Sequence, residues 1–150
     1  MLPVNLVLVS GGRAKERDLV ERVTCWCVNK LMPRYRTLEI NVTIKKIPVY
    51  GYCLEGDSKR EFDIEIKKGL NLYDIISTVC HEMVHVRQYA KGQLRHRTDG
   101  THLWKSDPNL CEDTDYENTP WEKEAFALER ELALECFQNL QYNFYHDIGD

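Results

Sequence analysis

At 150 residues the chain has the size of one domain, and 43% hydrophobic against 29% charged residues is enough to bury one core, which excludes a solvated, disordered segment. The longest apolar stretch, Leu2 to Val9, is broken by Pro3 and Asn5 and too short to cross a bilayer, so neither a signal peptide nor a membrane span is expected. A net charge of -4 gives no general attraction to phosphate backbones; the run Arg87, Lys91, Arg95, Arg97 reads as a solvated face, and no intrinsic nucleic-acid binding is expected.

Val4 to Val9 has strand composition and ends at the turn signal Gly11-Gly12. From Arg13 to about Met32, Leu19, Val20, Val23, Trp26, Cys27 and Leu31 recur at helical spacing, and Pro33 ends that helix. Leu38, Ile40, Val42 and Ile44 then alternate with polar residues, the period of a half-buried strand, and Phe62, Ile64 and Ile66 repeat the pattern. The turn-forming residues Pro48, Gly51, Gly56 and Asp57 lie between them, so the two strands are expected to pair as an antiparallel ribbon with one wet face. Asn71 reads as the N-cap of a helix that Gly92 stops, apolar on most sides and therefore buried. Thr119-Pro120 opens a last helix, with Thr119 as N-cap and Glu122 three residues on, running towards Tyr142.

Six cysteines, at 25, 27, 53, 80, 111 and 136, form neither paired C-x-x-C motifs nor a dense framework, which favours a reducing, cytoplasmic compartment. Cys80 and Cys136 fall in helical apolar patterns and read as small core residues. Cys25 and Cys27 diverge on their helix and cannot clamp one ion unaided.

The chemistry concentrates in H-E-M-V-H. Residues four apart lie one turn apart on one helical face, so His81 and His85 can present two imidazole nitrogens to a single ion. Glu82, about 100 degrees round from His81, can reach a water at that ion without binding it. On an otherwise apolar helix these three groups are costly unless partnered. A catalytic zinc site needs a third protein ligand and an open position, and Glu122, Glu124 and His102 compete for that place. Glu122 shares the arc of Trp121, Ala125, Phe126, Leu132, Ala133 and Cys136 and is expected to point inward; Glu124 shares an acidic stripe with Glu131 and Glu135. A capping-box bond from Glu122 to the Thr119 amide is the competing role.

H-E-M-V-H-V-R-Q-Y-A-K-G, preceded by F-D-I-E-I and followed by D-Y-E-N-T-P-W-E-K-E-A-F, resembles the small zincin-type metallopeptidases loosely called SprT-like, often found in bacteriophage genomes. The resemblance spans about residues 50 to 130; its H-E-x-x-H part is shared by many zinc peptidases, its P-W-E-x-E-A part by few. It implies an α+β fold, a minimal zincin-like domain over residues 1–150: an N-terminal helix, a small, mostly antiparallel sheet, the H-E-x-x-H helix and a C-terminal helix carrying the third ligand. Glutamate-ligand zincins carry that glutamate at the start of a downstream helix, with alanine three positions later, a pattern Glu122 and Ala125 match. Phe126 stands where those proteins often have Asp or Asn to orient a histidine. True SprT proteins use a downstream histidine followed by an aromatic residue, which His102-Leu103-Trp104 partly echoes without the usual glycine.

The activity implied is peptide hydrolysis with one zinc per chain and Glu82 as general base. Tyr116, His102, Tyr142 and Tyr145 are the candidates to steady the oxyanion. Strand Phe62 to Ile66, if it forms the sheet edge over the cleft, could bind an extended peptide or protein substrate by strand addition. The competing reading is a non-catalytic module in which zinc holds the fold together.

Overall fold

The computed structural model describes residues 4–107 and 116–148, with side chains described to residue 141. It is an α+β fold in the order β1 (Leu6–Gly11), α1 (Ala14–Leu31), β2 (Glu39–Lys45), β3 (Gly51–Glu55), β4 (Glu61–Lys67), α2 (Leu72–Ala90), β5 (Leu94–His96), β6 (His102–Trp104) and α3 (Pro120–Ile148). A single 3-10 turn, Tyr116–Asn118, precedes α3. No helix among the described residues is long and apolar enough to cross a membrane.

The expected antiparallel ribbon is corrected. β2 and β4 pair in parallel, β1 joins β2 in parallel, and only β3 runs antiparallel, giving the order β1-β2-β4-β3. Alternation reports which residues share a face and carries no information on strand direction. Direction was decided by the segment read as turns: part of it is β3, which returns the chain so that β4 can slot between β2 and β3. Phe62–Ile66 is therefore interior, and the edge strands are β1 and β3.

The parallel register aligns Ile40 with Phe62, Val42 with Ile64 and Ile44 with Ile66, all buried on the helix-covered face. Burial of each such side chain contributes about 1.5–3 kcal/mol. The opposite face is wet, as the alternation requires, with Lys45 and Glu65 paired across it at 2.8 Å. The β1–α1 turn depends on Gly11, whose φ of +80° is the left-handed region and where a Cβ would meet the Ile44 carbonyl oxygen at 2.1 Å.

Asn71 caps α2 as its sequence suggests, its side-chain oxygen accepting the Asp74 amide at 2.8 Å, and Gly92 follows the helix with φ +73°. α2 packs against the sheet, α1 and α3, which is why it is buried nearly all round, His81, Glu82, His85 and Gln88 included. Cys27, Cys80 and Cys136 sit in the core where α1, α2 and α3 meet, while Cys25 faces solvent; Cys111 lies outside the described residues. The short β5–β6 hairpin packs its Leu94 and Trp104 on Trp121 of α3.

Candidate metal centre

His81 and His85 project from one face of α2, and the first turn of α3 brings Glu122 against both. Glu122 Oε1 lies 3.1 Å from His81 Nε2 and 2.6 Å from His85 Nε2. One ligand atom from each of the three residues falls within 4.8 Å of the others, and all three residues are buried. This group could hold a metal ion. Glu122 is fully buried and does not form the capping box: its Oε1 serves the histidines, while the Thr119 amide donates to the Tyr116 carbonyl. Its Oε2 has no hydrogen-bond partner among the described residues, a costly arrangement for a buried carboxylate oxygen.

The outer hydrogen bonds determine what the inner nitrogens present. Gln88 Nε2 donates to the Trp121 carbonyl (3.0 Å) and to Glu124 Oε1 (3.2 Å), both of which only accept. Its Oε1 must then face His85, whose Nδ1 donates to it at 2.8 Å. His81 Nδ1 likewise donates to Glu129 Oε2 at 2.8 Å. With both Nδ1 atoms protonated, each neutral imidazole turns an Nε2 lone pair towards the same carboxylate oxygen. Three electron-rich atoms meeting in a buried space need a cation between them, a proton or a metal ion.

The titration of these groups reflects that need. Burial pulls the His81 pKa down, but the bonds to Glu122 and Glu129 outweigh it and hold it at about 10. His85 is raised in the same way by Glu122 against its own burial. Burial pushes Glu122 up, yet His81 and His85 bring it to about 2. With protons as the only cations, the cluster is a buried imidazolium–carboxylate pair.

Glu82 stands apart from the donor set. Its carboxyl is raised to about 6 by burial, partly offset by His85 and His81, and it bonds no other described residue. It opens onto a cleft of about 700 Å³ between β3 and α2 and onto a smaller cavity of about 200 Å³ beside His85 and Glu122. β3 can pass this close to α2 because residue 51 is glycine: a Cβ there would come within 2.9 Å of Thr78 Cγ2 and 3.3 Å of Glu82 Cγ. Tyr52 and Tyr116 line both cavities. Burial and the nearby Glu122 carboxylate push the Tyr116 hydroxyl above its ordinary pKa.

The other candidates from the sequence are elsewhere. Glu124 is not part of the donor cluster; it fixes the Gln88 amide and faces Arg87 at 3.7 Å. His102 stacks on Trp121 in the β5–β6 hairpin, ring centroids 5.1 Å apart, and is likewise outside the cluster. The side chains of Tyr142 and Tyr145 lie outside the described residues. Phe126, expected in the core, is 45% exposed and packs on the His81 ring at 4.7 Å.

Sequence reading missed the orienting pair, Glu129 and Gln88. Both signals were present: Glu129 is seven residues, two turns, beyond Glu122 on the same face of α3, and Gln88 is three beyond His85 on α2. Neither separates such a residue from an ordinary helical polar position until the partner helix is in place. Loss of an outer partner of this kind costs about 10–100-fold in metal affinity. Glu129→Ala and Gln88→Leu are each expected to weaken metal binding by that order, read by competition with a chromophoric chelator. An unchanged affinity in both would mean that the histidines are oriented by packing alone.

The chain thus belongs, on fold and site, to the class of α+β proteins with a buried His-His-Glu group able to hold a metal ion beside a cleft. Comparison with family models, with curated proteins and with solved structures found no match.

Proposed function

We propose that this protein is a zinc-dependent metallopeptidase of the zincin kind, one zinc per chain, with His81, His85 and Glu122 as ligands and Glu82 as general base. The observation that carries the reading is the juxtaposition of a buried two-nitrogen, one-carboxylate donor group with a second carboxylate, Glu82, that bonds no other described residue and stands on the wall of an open cleft. Three imidazole and carboxylate donors are what a catalytic zinc site uses, and a zinc ion bound there supplies Lewis acidity towards water and a carbonyl. The orphaned Glu122 Oε2 is compatible with such an ion.

The chain's own residues do the remainder. Glu82 takes a proton from water and passes it to the leaving amine, a role suited to a carboxyl raised towards neutrality. Tyr116, which lines both cavities, is the residue we assign to donate to the oxyanion. β3 has no strand partner on its outer side among the described residues, so an extended peptide can add there, over the cleft, by backbone pairing.

The test is direct. Zinc titration of metal-free protein is expected to reach one ion per chain, with affinity rising as pH rises. The sign follows from His81, which at about 10 keeps a proton at neutral pH that the ion must displace. Calorimetry in buffers of different ionisation enthalpy should therefore register proton release. Cleavage of a peptide mixture by the zinc-loaded protein completes the test, and a protein without zinc affinity near neutral pH sinks the reading.

The non-catalytic alternative also has an observation in its favour. Glu122 ties α3 to α2 through both histidines, so an ion there would hold two helices together. What it leaves unexplained is a buried Glu82 that faces a cleft and bonds no other described residue.

A further inference from the structure

The larger cleft has a composition that the metal chemistry does not require. Five aromatic side chains line it: Tyr50 and Tyr52 from β3 and the turn before it, Tyr73 from the first turn of α2, Tyr116, and Phe126 from α3. All five are exposed. Exposed aromatic rings drawn from four separate segments into one cleft mark a recognition surface, because stiff, amphipathic rings supply contact area at little cost in conformational entropy.

The charges in the same wall have one sign. Asp74, Glu82 and Glu129 line the cleft, and no Lys or Arg does. Glu82 and Glu129 are committed to the centre, the latter through His81. Asp74 is not: its amide donates to the N-cap, and its carboxylate pairs with no cation among the described residues. Asp74, Ser77, Thr78, His81 and Glu82 share one face of α2, which sets Asp74 about 10 Å along the helix from His81. A carboxylate at that remove, past a run of aromatic rings, matches a side chain with a long apolar stem and a cationic end. Tyrosine faces attract such a cation, as the outer Tyr50 ring already does with Lys67 Nζ at 5.7 Å. A short or acidic side chain would either leave Asp74 unpaired or set like charges together.

We infer that this cleft is the specificity pocket for a lysine or arginine side chain next to the scissile bond, with the aromatic rings holding the stem and Asp74 pairing the charged end. The inference rests on the peptidase reading for its catalytic consequence, but binding by the pocket can be measured without turnover.

The experiment has two arms. In the first, zinc-loaded protein is incubated with a peptide mixture varied at each position and the cut sites are read by mass spectrometry. Cleavage beside Lys or Arg is expected to exceed that beside Leu, Phe or Glu by roughly tenfold or more, the order of a charge-assisted contact. Asp74→Asn should bring Lys and Leu peptides to near parity while zinc content stays at the parent value. In the second arm, zinc-loaded Glu82→Gln is titrated with fluorescent acetyl-Ala-Lys-Ala amide and with its Leu and Glu counterparts, so that affinity is read in the absence of hydrolysis. Tighter binding of the Lys peptide, lost in the Asp74→Asn double variant, supports the pocket even if no peptide is cut, in which case the peptidase reading alone has failed. Equal affinity for the three peptides, or a Lys preference that survives Asp74→Asn, overturns it.

Discussion

Glu122→Ala should abolish tight zinc binding and, with it, most of the stability that the metal adds. Among the described residues Glu122 Oε1 is the one carboxylate oxygen that meets both Nε2 atoms, and no other acidic residue joins the cluster to replace it. The loss should exceed the roughly 10–100-fold expected for the outer partners Glu129 and Gln88. An ion present at a thousand times its dissociation constant stabilises the native state by about 4 kcal/mol, which for a chain of this size corresponds to roughly 10 °C in Tm. That increment should be present in the parent and missing in the variant, as measured by thermal melts with and without zinc. Glu124→Ala removes only an outer contact to Gln88 and should keep nearly all of it. His102→Ala should disturb the stacking on Trp121 and leave metal content unchanged. If instead His102→Ala loses the ion while Glu122→Ala retains it, the ligand assignment is wrong.

Glu82→Gln should separate binding from chemistry. The amide has the size of the carboxylate and Glu82 lies outside the donor cluster, so zinc content and fold should match the parent. Hydrolysis should fall by about 10²–10⁴-fold, the usual contribution of a positioned general base, because an amide cannot take the proton. A parent rate in this variant would remove Glu82 from the mechanism, and loss of zinc equal to that of His81→Ala would make it a ligand. Stability supplies an independent reading. Glu82 has a folded pKa of about 6 against an ordinary 4.5, so its burial is without cost below pH 4.5 and becomes unfavourable as pH rises through 6. Replacing it should therefore stabilise the metal-free protein at pH 8, by at most about 2 kcal/mol, and have little effect at pH 4.

Much of this site was legible in the residues alone. His81 and His85 were set on one face by the 3.6-residue period, and Glu122 was turned inward by the apolar arc it shares with Ala125, Ala133 and Cys136. The capped ends of α2 were equally local, since Asn71 and Gly92 act through their own backbone within one turn. Periodicity and capping depend on neighbours in sequence and so survive without the fold.

What only the tertiary structure decided depends on which distant segments meet. The parallel pairing of β2 with β4 required the return of the chain through β3, whose weak alternation reads as turn residues. That pairing made β3, and not β4, an edge strand and put Tyr50 and Tyr52, rather than Phe62 to Ile66, over the cleft. The roles of Glu129 and Gln88 were undecidable in one dimension for the same reason. Glu129 orients His81 only because α3 crosses α2 at that point, and Gln88 orients His85 only because the Trp121 carbonyl and Glu124 arrive from α3 to turn its amide. A helical period fixes the direction of a side chain from its own axis; the partner it finds there is set by packing between elements some forty residues apart.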